Sequence, residues 1–338
     1  MKKRAIIIKN RKAHIFIICE IAQAHSGSFS VAKKLIKSAS IAGADAIKFQ
    51  IVYPDELLVT NHDSYGLFSK TAFTDAQWRE LFHLSRSVGL KIFADVFGKK
   101  SLALLSKNNI DGFKIHSTEI KNSSLIKQIA AQKKLILLST SGSTLKEIQK
   151  ALSILRQGKN EVVLLHGFQG YPTSVEDTNL RKIIALQKKF HMPTGFADHI
   201  SGGSAYKNDI CLMALAIGCS VLEKHMTLDR KKKGYDYYSS LNPDEFNQFV
   251  ERVRAMESAL GSVSLSMTAP EKIYRISSKK HVVASRDLCS GHIIAEDDIV
   301  MKRTKEKYPF QEPESIIGKK SLIPIIKDSV IKSRNITR

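Results

Sequence analysis

Apolar and polar positions alternate along the chain in two rhythms. Short apolar runs rich in β-branched residues recur at 15–19, 46–49, 91–94, 112–115, 135–138, 162–165, 194–196 and 221–223, and each reads as a buried strand. Longer stretches with apolar residues at helical spacing follow them, at 31–42, 75–88, 99–108, 123–132, 144–156, 180–190, 207–217 and 243–260. Eight such units in roughly 250 residues predict an α/β chain folded as a (β/α)8 TIM barrel. An open doubly wound sheet would carry a glycine-rich phosphate turn after its first strand, and no G-x-G-x-x-G stands there. The last helix stops at Gly261, a natural helix-terminating residue, and a Ser-rich stretch containing Pro270 follows. Beyond it come short strand-like runs and turns such as Cys289-Ser290-Gly291, without a long helical period. The pattern therefore divides the chain into a barrel at 1–262, a linker at 263–278 and a small, mostly β second domain at 279–338.

Composition adds limits. Of 338 residues, 43% are hydrophobic and 25% charged, a mix that buries a core and excludes a disordered chain. Lys and Arg number 53 against 32 Asp and Glu, a net +21, which raises the question of nucleic acid. The basic residues are scattered over the helices, as in Lys33, Lys34 and Lys37, Lys188 and Lys189, or Arg252 and Arg254. No recognition motif accompanies them, so they read as a solvated surface and no specific nucleic-acid partner is expected. Four cysteines without C-x-x-C spacing fit a reduced, cytoplasmic protein. The start of the chain has a basic cluster and only four apolar residues in a row, 5–8, too few for a secretory leader. No apolar run approaches the roughly 18 residues that span a bilayer, so no membrane partner is expected.

In a barrel of this kind the chemistry sits at the C-terminal ends of the strands. The residues there are Glu20; Lys48 and Gln50; Asp95; Lys114, Ser117 and Glu119; Ser139 and Thr140; His166, Gln169 and Tyr171; Asp198 and His199; and Glu223, Lys224 and His225. One ionisable residue at a strand end is usually structural. So many together point to a site, because buried charges are costly without a partner or ligand.

The segments IICEIAQAHSG, ADAIKFQ, GFKIHSTEIKN, LILLSTSG, LLHGFQGYPT, FADHISG and VLEKHMTLD, in this order, resemble the sialic acid synthase family. The tail, VVASRDLCSGHIIAEDDIVMKR followed by IIGKK, is similar to the antifreeze-protein-like (SAF) domain that ends those enzymes. The resemblance implies a transferase that condenses phosphoenolpyruvate with an N-acylated amino sugar, N-acetylmannosamine or a 2,4-diacetamido-trideoxyhexose, to give a nonulosonic acid and phosphate. It implies Glu20 and Glu119 as catalytic carboxylates, and Lys48, Gln50, Lys114, Ser117, Ser139 and Gln169 as ligands of phosphoenolpyruvate. Tyr171, Asp236 and Arg303 are implied to contact the sugar. His199 and His225 are implied to hold a divalent metal, Mn²⁺, Co²⁺ or Mg²⁺, with Asp198 and Glu223 close by as orienting groups. The working unit is implied to be a homodimer in which each second domain, through Arg303, covers the partner's barrel.

This chain departs from the family pattern at Ala24, Asp95, Gln169 and Ala197, where the family usually has Asn, Thr, Asn and Ser. After Arg303, Thr304-Lys305-Glu306-Lys307 replaces a Pro-Gly-x-Gly turn. Asp95 is the largest departure, since a carboxylate repels a phosphate unless it is turned away, paired with a lysine or bound to metal. Two other readings stand beside this one. A lysine Schiff-base aldolase would use Lys114 or Lys48 as nucleophile but leaves the histidine pair and the tail without a role. A non-catalytic sugar-binding homologue would explain the altered positions but not the retention of the chemical groups.

Overall fold

A computed structural model of the chain describes residues 14–262, 264–306 and 309–338. The amino-terminal run 1–13, Val263 and Lys307 of the altered turn lie outside the described residues. Eight parallel strands follow one another in register, β1 (Phe16–Glu20), β2 (Ala46–Ile51), β3 (Lys91–Val96), β4 (Gly112–Ile115), β5 (Leu135–Ser139), β6 (Val162–His166), β7 (Thr194–Asp198) and β8 (Val221–Met226). β8 pairs back onto β1, which closes the barrel, and a two-residue strand β9 (Ser240–Leu241) adds to β8. The helices are α1 (Phe29–Ile41), α2 (Pro54–Leu57), α3 (Tyr65–Thr71), α4 (Asp75–Ser87), α5 (Lys99–Lys107), α6 (Ser123–Ala130), α7 (Leu145–Gln157), α8 (Arg181–Phe190), α9 (Asp209–Ala216), α10 (Pro243–Ala259) and α11 (Ala269–Ser278).

Local chemistry sets the helix starts. In α7 the Thr144 side chain accepts the Glu147 N–H while the Glu147 carboxylate accepts the Thr144 N–H at 2.7 Å. Ile148, Ala151, Leu152 and Leu155 then fall on one face and are buried, the spacing expected of a helix against a sheet. α4 begins the same way with Thr74 and Gln77.

Strand residues alternate between two cores. Phe16, Ile18, Ala46, Phe93, Leu135, Leu137, Val163, Leu165 and Val221 form a cluster made of strand residues alone, the packed interior of the barrel. Their neighbours along the strands, such as Ile17, Ile47, Ile92 and Leu138, pack instead with helix residues such as Leu35, Leu81 and Leu152. Gly112 is required by this interior: a Cβ there would stand 2.2 Å from Cε1 of Phe93.

The chain divides into two compact units, one up to residue 262 and one from 263 onward. The second holds an antiparallel pair, β10 (His281–Ala284) with β11 (Ile299–Lys302), and single bridges that join the rest. Its core is Val282, Ala284, Leu288, Ile294, Ile316, Ile325, Ile331 and Ile336. The Ser-rich stretch read as a linker contains α11, whose N-terminus is capped by Thr268 and Glu271. Cys19, Cys211 and Cys219 are buried and Cys289 is exposed; all four are free thiols. Among the described residues no helix is long and apolar enough to cross a membrane.

Candidate active site

Counting by two from the interior residues shows which polar side chains enter the barrel mouth. Phe16 and Ile18 lead to Glu20, Ala46 to Lys48 and Gln50, Phe93 to Asp95, Gly112 to Lys114, Leu137 to Ser139, and Val221 to Glu223 and His225. Register then fixes neighbours: Glu20 lies beside Lys48 on one side and His225 on the other, and Asp95 beside Lys114.

Lys48 is the centre of the arrangement. Its ammonium, fully buried, pairs with Oδ2 of Asp95, lies against Oε2 of Glu20 and stands 3.8 Å from Oε1 of Glu223. Lys114 donates to the same Glu223 oxygen at 2.6 Å. Oε1 of Glu20 also accepts the Ala22 N–H at 2.6 Å. Two lysines and three carboxyl groups therefore share one buried network. Asp95, the largest departure from the family pattern, is paired with a lysine.

The environment separates the carboxylates. Burial pushes Glu20 up to about 8 against the opposing pull of Lys48. Burial also acts to raise Glu223, but Lys114 and Lys48 outweigh it and hold that carboxyl down at about 2. Burial works against the charged form of Lys48, yet Asp95, Glu20 and Glu223 together raise its pKa well above the ordinary value. An ammonium held in this way is the reverse of the lowered lysine that a Schiff base requires.

His199 and His225 come together from β7 and β8, with ring centroids 5.2 Å apart, and the Tyr171 ring packs edge-on to both at 5.1 and 6.5 Å. Burial lowers both histidines to about 3, so both are neutral, the form that ligates metal. Nδ1 of His199 is buried and has no hydrogen-bond partner among the described residues. No group of three or more His, Cys, Asp or Glu residues there could enclose an ion. As neutral imidazoles, one with a buried nitrogen lacking a partner, the two could supply two ligands to a divalent ion.

Asp198 and Glu223 do not orient these histidines, contrary to the sequence reading. Glu223 is taken by Lys114. Asp198 lies on the outer face of β7, where it pairs with Lys224 and accepts the Ile200 N–H at 2.8 Å and the Cys211 thiol at 3.3 Å. Lys224 also donates to the Lys207 carbonyl at 3.0 Å.

Around the network, Ser117 donates to the Gln169 carbonyl at 2.9 Å, and the Gln169 amide meets Nε2 of His116 at 2.8 Å. Ser139 is buried at the end of β5 and Gln50 is half-buried at the mouth of β2. Asp236, in the left-handed conformation at φ 60°, accepts the Gln23 N–H at 2.9 Å. His25 and His166 serve structure, His25 accepting the Gly27 N–H and His166 meeting the Thr178 carbonyl at 2.8 Å. Glu119 is half-buried in a 3-10 turn and accepts from Asn122 at 3.0 Å; no hydrogen bond or ion pair among the described residues joins it to the Lys48 network. Arg303 is exposed directly after β11 in the second unit. The sequence reading left a lysine pairing of Asp95 open among three alternatives and missed that of Glu223 with Lys114, for which strand parity was the available signal.

The model of the NeuB family matches residues 35–264. The pseudaminic acid synthase of Campylobacter jejuni is 32% identical over 327 residues, covering 92% of this chain and 94% of its own. The N-acetylneuraminate-9-phosphate synthase of Homo sapiens is 30% identical over 331 residues, with 94% and 91% covered. Among solved structures, the N-acetylneuraminic acid synthetase of Leptospira borgpetersenii, in complex with citrate, superposes with a TM-score of 0.73 at 31% identity, over 78% of this chain and 92% of that one. A closed barrel with a lysine and carboxylate network at its mouth, matched over most of its length by these synthases, belongs to the NeuB family of nonulosonic acid synthases.

Proposed function

We propose that this chain condenses phosphoenolpyruvate with an N-acylated amino sugar, N-acetylmannosamine or a 2,4-diacetamido-trideoxyhexose, to give a nonulosonic acid and phosphate. The observation that supports it best is a pair of buried lysines, Lys48 and Lys114, at the strand ends of a barrel that also brings two neutral histidines together. Phosphoenolpyruvate carries a carboxylate and a phosphate, and binding it takes charge-assisted donors. Lys48, Gln50, Lys114, Ser117, Ser139 and Gln169 fill that role in this reading. C3 of phosphoenolpyruvate attacks the aldehyde of the open-chain sugar, water adds to C2, and phosphate leaves by C–O cleavage. Glu20, neutral near pH 7, holds a proton at its carboxyl beside the reacting centre, with a pKa suited to proton transfer. Glu119 is the second carboxylate of this reading, and Tyr171 and Asp236 orient the sugar. A divalent ion held by His199 and His225, Mn²⁺ or else Co²⁺ or Mg²⁺, supplies Lewis acidity toward the sugar aldehyde when bound.

The resemblance of the tail extends the proposal to a cytoplasmic homodimer with exchanged antifreeze-like domains, in which Arg303 meets the N-acyl group of the sugar in the partner's barrel. The domain limits of this reading are 1–262 and 279–338.

The test is phosphate release from phosphoenolpyruvate across a panel of such sugars with added Mn²⁺. We expect release that depends on a sugar, is abolished by EDTA and returns with Mn²⁺. No release with any sugar removes the proposed reaction, and full release in chelator removes the role of the ion.

A further inference from the structure

Lys48 meets two carboxyl groups that are anchored in different ways. Glu20 and Asp95 both lie against its ammonium and Glu223 lies 3.8 Å away, while Lys114 is committed to Glu223 at 2.6 Å. A carboxylate against a buried ammonium is a strong contact in a medium that screens charge poorly, and Asp95 makes it with Lys48. The two partners of Lys48 are also held differently. Glu20 has a second anchor, the Ala22 N–H on its Oε1. Asp95 has none: Oδ2 meets Lys48, and Oδ1 is buried without a hydrogen-bond partner among the described residues. Asp95 is thus kept in place by Lys48 alone. Register sets it opposite Lys114 on β4 and opposite Gln50 on β2, two residues along that strand from Lys48.

We propose that Asp95 is an internal anion that occupies Lys48 until an anionic substrate displaces it and that thereby weakens the binding of phosphoenolpyruvate. The inference rests on the reading of this mouth as a phosphoenolpyruvate site. For the substrate's phosphate or carboxylate to reach Lys48, the Asp95 carboxylate must release the ammonium and turn aside, and its charge opposes the incoming one throughout. Glu20 stays, because its backbone bond and its pairing with β8 do not depend on Lys48. Asparagine at 95 keeps the shape, removes the charge and adds an N–H that can donate to the substrate. Threonine offers a short hydroxyl donor instead.

The experiment compares the full chain with Asp95→Asn and Asp95→Thr, each checked by thermal melting and for Mn²⁺ content. Phosphoenolpyruvate binding without sugar is measured by calorimetry, and KM and kcat are measured with the best sugar of the panel. In both variants we expect tighter binding and a KM for phosphoenolpyruvate lower by about tenfold, with the gain in KM rather than kcat and the KM for the sugar unmoved. Folded variants that bind phosphoenolpyruvate no tighter than wild type overturn the inference and leave Asp95 as a group that only positions Lys48. Loss of Mn²⁺ from Asp95→Asn overturns it in favour of a metal ligand. If neither wild type nor variants bind phosphoenolpyruvate, the functional reading falls and carries the inference with it, an outcome distinct from wild-type binding that the variants fail to improve.

Discussion

Lys114 and Glu223 hold each other at 2.6 Å with both side chains out of solvent, and this changes what removing the lysine does. From the sequence alone, Lys114→Ala would weaken substrate binding and spare the fold. Buried as it is, the lysine cannot be removed without stranding Glu223, whose Oε2 already lacks a partner. Breaking a buried pair from one side costs about 3–5 kcal/mol, so Lys114→Ala should lower the urea midpoint as well as kcat/KM. Lys114→Met combined with Glu223→Gln should regain much of that stability while remaining inactive. A single variant as stable as wild type would show that the pair is solvated. The sequence found these residues by their position after apolar runs, but not which of them meet. Glu223, Lys224 and His225 read as one site, yet the pleat sends Lys224 to the helical layer with Asp198. Ser139 and Thr140 separate in the same way, Thr140 bonding to the Leu165 carbonyl at 3.0 Å. The partnership of Lys48 and Asp95 spans 47 residues and becomes visible only once β2 and β3 are in register.

At the scale of elements, the eight strands and the helices that follow them were legible because each buries a continuous apolar run or stripe. What was missed lacked that signal. α2 and α3 bury only Thr71 between them, and α11 buries no side chain, so neither insertion nor linker shows an apolar face directed at a core. α11 did carry a start signal in Thr268 and Glu271, which the surrounding serines obscured. The shortest strand of the barrel gives the sharpest prediction. β4 begins at Gly112, where a methyl group would collide with the Phe93 ring inside the barrel. Gly112→Ala should therefore destabilise the fold by about 1–3 kcal/mol, and Phe93→Leu in the same chain should return part of the loss. Thermal melting of the two variants decides it. An unshifted Gly112→Ala would mean that the interior has slack at this layer.

Across the described residues, burial holds His25, His116, His166, His199 and His225 below the ordinary imidazole range, and they set how stability follows pH. Burial lowers His25 and His116 to about 4 and His199 and His225 to about 3, from an unfolded value of 6.5. As pH drops below 6.5 the unfolded chain takes up these protons and the folded chain does not. Their contribution is complete above pH 6.5 and is lost as pH falls toward 4. Glu20 runs the other way: raised from 4.5 to about 8, it holds an extra proton in the folded state between those values, and stability declines as pH rises through that window. Each unmatched proton changes stability by about 1.4 kcal/mol per pH unit, so these histidines outweigh one carboxyl on the acid side. Urea midpoints of metal-free protein should peak near neutrality, fall steeply below pH 6 and slowly above 7. A midpoint that rises on acidification would refute the assignment of neutral buried imidazoles.

The placement of the four thiols gives the molecule a built-in gauge of barrel opening. Burial raises Cys19 and Cys211 well above the ordinary range and Cys219 to about 12, whereas Cys289 is exposed on the second unit. Alkylation needs an accessible thiolate, so a maleimide should mark the native chain once, at Cys289. The remaining three react only when the barrel itself opens, and the rate at which a second label arrives, read by mass spectrometry, reports the stability of the barrel without substrate, metal or turnover.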